Sequence, residues 1–310
     1  MKIKNHIKSY SISWLANTYD KETSTGEIEN FYLPETIEEF VDLCRDLQKK
    51  EEAFKIVGAT SNVYILPNSS FKHVISIRHL NQFYQDGEVE ICQCGVSVKQ
   101  LVRKMVSDGI DGYACMIDLP GTIGGAIYGN AGVSRHSIVQ QLVDVTLLLK
   151  DGTIHTFAPE ELGFSFRSSK LKRGEMNGVI LSCRLRRRKG NKSEIEEEAR
   201  FVHEWRKENQ PGALRNLGTT SLLTITKNTP LGFMLRGVAS VLQFLVPDSK
   251  RMAFKVHLIM AFMGKPILSK YLFGLNRYMW MDTASHQYFS DYVKVINKLY
   301  IKARLEIEVW

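Results

Sequence analysis

A chain of 310 residues, 44% hydrophobic and 24% charged, is long enough for two or three domains with a sizeable core and has the composition of a soluble globular protein. Its 41 Lys and Arg against 33 Asp and Glu give a net charge of +8, but the excess is local: residues 231–281 hold seven cations and one acid, Asp248, which argues against a general nucleic-acid coating. No run of eighteen apolar residues is free of charge, the opening "MKIKNHIKSYSISW" lacks an apolar core of signal-peptide length, and the five cysteines show no CxxC spacing, so a cytoplasmic chain with reduced thiols and no metal is expected.

From Ser11 to Leu80 the pattern reads strand, helix, strand, with Thr36 as cap of a helix in "LPETIEEFVDLCRDLQKK". "AFKIVGATSNVYILP" is two apolar runs around a polar turn, and "VEICQCGVSVKQLVRKMVSDGI" is a strand feeding a helix. "IVQQLVDVTLLLKDGTIHTF" predicts two strands joined at Asp151-Gly152. The basic cluster "RLRRRKGNK" at 184–192 follows an apolar run and reads as the exposed end of a strand. "SEIEEEARFVHEWRKENQP" predicts a helix ended by Pro211. Beyond it the Met-, Phe- and Leu-rich segment 231–281 reads as helices, and the remainder as a helix, "SDYVKVINKLYIKA", and a strand, "LEIEVW".

Two glycine-containing turns stand out. One is Gly58-Ala59-Thr60-Ser61-Asn62; the other opens at Pro120-Gly121-Thr122 and continues through Gly124, Gly125, Asn130 and Gly132. Backbone N–H groups in such turns form anion-binding concavities, and glycine lets a ligand come close. Neither fits GxGxxG or GxxxxGK[ST]. Their pairing, in a chain of this texture, resembles the UDP-N-acetylenolpyruvoylglucosamine reductase family. That family has a G-[GA]-[GT]-S-N turn before an apolar strand, then P-G-[ST]-[IV]-G-G-A followed by N-A-G; "ANTY" at 16–19 also resembles its N-terminal motif.

The resemblance implies an α+β fold: a two-part FAD-binding unit of the vanillyl-alcohol-oxidase (PCMH) type in residues 1–84 and 85–195, then a divergent, helix-rich substrate domain in 196–310. It also implies non-covalent FAD, NADPH as electron donor, a nucleotide-sugar substrate and a monomer. Reducing an enolpyruvyl ether needs a hydride facing the alkene, a positive charge beside the carboxylate, and an acid that protonates the carbanion. By the resemblance Arg167 in "FSFRSSKLK" supplies the charge, with Phe166 where the family has tyrosine. Glu308 in "LEIEVW" assists, and Thr219 in Asn216-Leu217-Gly218-Thr219 stands where the family's serine donates the proton. Lys207, twelve residues before Thr219, matches a basic residue that binds the substrate diphosphate. The plain alternative for Arg167, Glu308 and Lys207 is a solvated surface position.

The chain departs from the family after residue 195. The K-N-P that follows the family's serine is displaced to Lys227-Asn228, and 231–281 replaces the expected helix and turn, although "SHQYF" at 285–289 keeps a likeness. Two further functions therefore stand beside the reductase: a flavoprotein of surface-polysaccharide synthesis acting on another nucleotide- or lipid-linked sugar, and a flavin-binding protein without turnover. Segment 231–281 itself has two readings. It is a helical lid with its charges outside, or a face lying on the inner surface of the membrane.

Overall fold

Thr36 opens the first long helix, α1 (Ile37–Lys49), as the composition of "LPETIEEF" requires. Its Oγ1 accepts the Glu39 N–H at 3.2 Å, two glutamates occupy the first turn and Lys49 the last, in the sense that suits the helix dipole. Phe40, Val41, Leu43, Cys44 and Leu47 recur on one face, and all are buried. The chain is seen here as a computed structural model that describes residues 5–11, 26–66, 69–133, 136–210, 216–219, 227–272, 279–281, 286–302, 305–306 and 308–310. It falls into two units, the first of Met1–Tyr10, Ile28–Thr60 and Ser70–Asn209, the second of Ser11–Glu27, Ser61–Ser69 and Gln210–Trp310.

The first unit has two sheets. One, in the order β1-β2-β5-β3, comprises β1 (His6–Ser11), β2 (Glu27–Tyr32), β3 (Phe54–Val57) and β5 (Ser70–Ser76), with β3 and β5 parallel. Between β3 and β5 the chain visits the second unit through β4 (Val63–Tyr64). The other sheet, in the order β11-β10-β12-β7-β6, is antiparallel and comprises β6 (Phe83–Asp86), β7 (Val89–Gln93), β10 (Leu142–Leu149), β11 (Ile154–Phe157) and β12 (Gly178–Arg186). The expected Asp151-Gly152 connection joins β10 to β11, with Gly152 at φ 84°. Helix α2 (Val98–Ser107) buries Leu101, Val102 and Met105 in the same hydrophobic cluster as both sheets. The first sheet ends at Ser76 and the second begins at Phe83, so a boundary at 84 falls inside β6.

The basic cluster at 184–192 is engaged within its own unit. Arg184 pairs with Asp144 and Arg188 with Asp111. Arg187, itself buried, meets the wholly buried Glu90 of β7 and, at 2.7 Å, Asp108 at the end of α2. Arg187→Met should therefore cost about 3–5 kcal/mol, because it leaves the Glu90 carboxylate buried without its counter-ion. A urea melt reads this directly. Arg187→Met combined with Glu90→Met should recover much of the loss.

Helix α4 (Lys192–Asn209) is the predicted glutamate-rich helix, but the expected domain cut at 195 falls inside it. Ile195 and Ala199 are buried in the first unit's core, which holds the whole helix in that unit.

In the second unit, α5 (Pro230–Leu242), α6 (Asp248–Phe262) and α7 (His286–Leu299) share a core that includes Leu235, Ala239, Val256, Met260, Tyr292 and Ile296. Thr229 caps α5, accepting the Gly232 N–H at 3.0 Å, and a side chain at Gly232 would overlap the Leu299 carbonyl, so only glycine permits that approach. Tyr64 of β4 stacks on Phe289 of α7, ring centroids 4.1 Å apart. Two short sheets complete the unit: β4 with β15 (Glu308–Val309), parallel, and β13 (Asn216–Thr219) with β14 (Met279–Met281), antiparallel. The second corrects the all-helical expectation for 231–281. Met279 and Met281 lie opposite Thr219 and Asn216, and strand pairing takes over there from helical periodicity.

Candidate functional site

Gly58 of the first glycine turn and Thr122 of the second lie against each other within the first unit. The second turn packs against residues 94–96, just after β7. Gly124 and Ile123 N–H donate to the Cys94 and Val96 carbonyls at 2.7 and 2.8 Å, and Thr122 caps a short helix, α3 (Ile123–Tyr128). Gly58 of the first turn abuts the Thr122 side chain so closely that a Cβ on it would overlap Thr122 Oγ1. Arg78 Nε holds the same turn by donating to the Gly58 carbonyl at 3.0 Å.

The glycines of the two turns divide into two kinds. At Gly58, Gly124 and Gly132 the missing side chain makes room for the protein itself: Thr122, the backbone and Cβ of Cys94 (3.0 and 3.1 Å from a built Cβ), and the His136–Ser137 backbone, respectively. Gly125 is exposed, and within 4 Å a Cβ there meets only Thr122 Oγ1, at 3.3 Å. It is the position where a ligand can lie on bare backbone.

Arg167 closes the second turn from the other side. Its Nη1 donates to the Asn130 carbonyl at 3.4 Å and its Nη2 to the Gly132 carbonyl at 2.5 Å. Ser169 Oγ donates to the Tyr128 carbonyl at 2.6 Å, so the Arg-Ser-Ser segment is bonded to the turn along its length. Asn130 Nδ2 donates to the Ser165 carbonyl at 2.7 Å. That bond fixes the side-chain amide and leaves Oδ1 buried without a partner among the described residues. Four non-glycine residues of this region, Thr60, Asp118, Asn130 and Arg167, have φ between 46° and 60°. Such left-handed backbone is costly and collects at functional sites.

Asp118, just ahead of Pro120, is a charge hub that composition alone did not single out. Burial works to raise its pKa, but hydrogen bonds from His203 and Lys99, with Arg103 nearby, outweigh burial and hold it at about 2. Cys94, beneath Gly124, is pushed up by burial to about 12, against opposing backbone hydrogen bonds, so its thiol stays protonated and unreactive.

The remaining expected residues are distributed between the units. Lys207 is an exposed residue of α4, 3.8 Å from Glu204 Oε2, the geometry of a helix-surface lysine. Ser61 and Asn62 belong to the second unit and precede its strand β4, and Asn62 Nδ2 donates to the Glu306 carbonyl at 3.2 Å while the Glu308 N–H donates to the Asn62 carbonyl at 2.9 Å. The first glycine turn thus leads straight into the strand that anchors Glu308. Thr219 ends β13 in the same unit, on the other small sheet. "ANTY" at 16–19 and the segment after Thr219 lie outside the described residues.

This geometry fits a flavin dinucleotide: paired turns, one open glycine, and a buried acceptor awaiting an N–H or O–H. Residues 28–158 match the FAD binding domain family. UDP-N-acetylenolpyruvoylglucosamine reductase 1 of Corynebacterium glutamicum is 30% identical over 198 residues, 64% of this chain and 58% of that protein. The reductase of Bacillus subtilis is 27% identical over 187 residues, 60% of this chain and 61% of that protein. The chain's match thus spans less than two thirds of those relatives' length. The structure of the reductase from Thermus caldophilus covers 98% of both chains with a TM-score of 0.66 at 21% identity, which shows the shared α+β fold. Residues 28–158 are thus similar to the FAD binding domain family, in a chain that is similar over part of its length to UDP-N-acetylenolpyruvoylglucosamine reductases.

Proposed function

We propose that the chain is an FAD-dependent oxidoreductase that takes electrons from NADPH and reduces an enolpyruvyl UDP-sugar. The reading includes a monomer at the cytoplasmic side of the membrane, with peripheral contact through 231–281. The observation that carries it is the Arg167 guanidinium, pinned to the Asn130 and Gly132 carbonyls at the rim of the second glycine turn. Bound FAD supplies the hydride. Gly58, Ala59, Thr60, Ser61, Asn62, Pro120, Gly121, Thr122, Gly124, Gly125, Asn130 and Gly132 would hold it, with Gly125 as exposed backbone.

Arg167 places a permanent positive charge where the substrate carboxylate gains electron density during reduction. Thr219 holds the proton for the adjacent carbon, its hydroxyl being of the same acidity class as serine. Glu308, fixed through its backbone to Asn62, supports the substrate end of the site, and Lys207 meets the diphosphate. Residues 196–310 form the substrate domain in this scheme. Retention of arginine, hydroxyl and carboxylate together favours turnover over passive flavin binding. The replaced segment 231–281 keeps a second reading in play, a flavoprotein that reduces another nucleotide- or lipid-linked sugar in surface-polysaccharide synthesis.

The experiment is an anaerobic half-reaction series. NADPH should bleach the flavin absorbance, and the enolpyruvyl UDP-sugar should restore it within one turnover. Bleaching without restoration by this substrate supports the second reading. A flavin that NADPH leaves oxidised overturns both.

A further inference from the structure

Helix α5 is apolar over most of its circumference, apart from a stripe of Arg236 and Ser240. Leu235 and Ala239 face the unit's core, yet the opposite side carries Phe233 (75% exposed), Met234, Val238 and Val241 (70%), and the turn that follows adds Phe244 (67%) and Leu245 (76%). A lid with its charges outside would not look like this. The helix's one cation, Arg236, is half-buried and donates to Tyr300 Oη at 3.1 Å and Asn228 Oδ1 at 3.4 Å. A helix apolar over most of its circumference belongs inside a core or against lipid, and contiguous exposed apolar surface marks a contact site.

Cations flank this surface on its far side. Arg251 lies over the exposed Phe244 ring, 4.8 Å from its centroid, and Lys250 and Lys255 follow on α6. Asp248, the segment's one acid, pairs with Arg251 at 2.7 Å. No helix among the described residues is long and apolar enough to cross a membrane.

We infer that α5 and the turn 243–247 dock on an anionic bilayer surface, with Phe244 and Leu245 entering the acyl boundary and Lys250, Arg251 and Lys255 at the level of the phosphates. Charge selects the occupant. A second copy would bring another segment of net +6 against this one, whereas anionic headgroups neutralise it. The inference takes up the peripheral contact of the proposed function and rests on that reading for its setting, but vesicle binding is measured without substrate, so either can fail alone.

The test is flotation of the FAD-loaded 310-residue chain with vesicles of phosphatidylcholine alone or mixed equally with phosphatidylglycerol. Wild type should float with the mixed vesicles at low salt and lose binding at high salt, where screening shortens the range of the headgroup field. Lys250→Glu with Arg251→Glu and Lys255→Glu should lower partitioning about a hundredfold, at about fivefold per cation removed. Phe244→Ser with Leu245→Ser should lower it at least as much while retaining flavin and melting temperature, since both side chains are exposed. Wild type that stays unbound at low salt overturns the inference. So does a wild-type dimer in sedimentation velocity that Phe244→Ser with Leu245→Ser converts to monomer, which assigns the face to a second copy.

Discussion

Gly125→Val should purify as a folded but colourless protein, whereas the parent should be yellow with flavin that denaturation releases. The isopropyl group projects from an exposed glycine whose Cβ meets only the Thr122 hydroxyl, at 3.3 Å, so the fold needs a small side-chain shift to take it, while a ligand lying on that backbone is displaced. Thermal midpoints of parent apoprotein and variant should agree within a few degrees. Gly124→Val also loses flavin, but by a different route. Its Cβ stands 3.0 Å from the Cys94 carbonyl, so overpacking against backbone costs about 1–3 kcal/mol and lowers the midpoint as well. A yellow Gly125→Val protein with parental affinity for FAD would place the flavin elsewhere.

Thr219→Ala should slow reoxidation of the flavin by substrate about 10²–10⁴-fold, the span expected for loss of a positioned general acid, while its reduction by NADPH proceeds normally. Thr219→Ser should keep turnover, since it retains the hydroxyl and removes only a methyl. Normal turnover by Thr219→Ala would move the proton donor to another group, Ser221 or a water. Arg167→Lys is the companion measurement, and it must be expressed per bound flavin. Lysine keeps the positive charge but cannot reproduce a guanidinium that donates to two carbonyls at once, so the variant loosens the turn and no longer fixes that charge at its rim.

Features that depend on a few neighbouring residues were readable from the chain. The Thr36 cap, the Asp151-Gly152 hairpin and the position of the glycine turns are of this kind, and each reappears in the structure. What the individual glycines do was not readable, because their neighbours are remote in sequence: Thr122 lies against Gly58, and Cys94 against Gly124. The same holds for α4, whose Ile195 and Ala199 commit it to the first unit although composition changes around it. Hydrophobic periodicity also could not tell which side of α5 is covered, since both sides are apolar. Asp118 was not legible because its partners Lys99, Arg103 and His203 come from two separate helices.

The pairing of β4 with β15 sets a schedule for biosynthesis. Asn62 and Glu306 are 244 positions apart, so at about 5–20 residues per second the ribosome delivers the partner of β4 roughly 12–50 s after β4 itself. Until those partners are made, Tyr64 has neither Phe289 to stack on nor β15 beside it, and the nascent chain carries an unpaired edge within the stretch that matches the FAD binding domain. Such an edge invites capture by holdase chaperones. Slow codons between β13 and α7 should therefore lower the yield of native protein more than equally slow codons placed before β3.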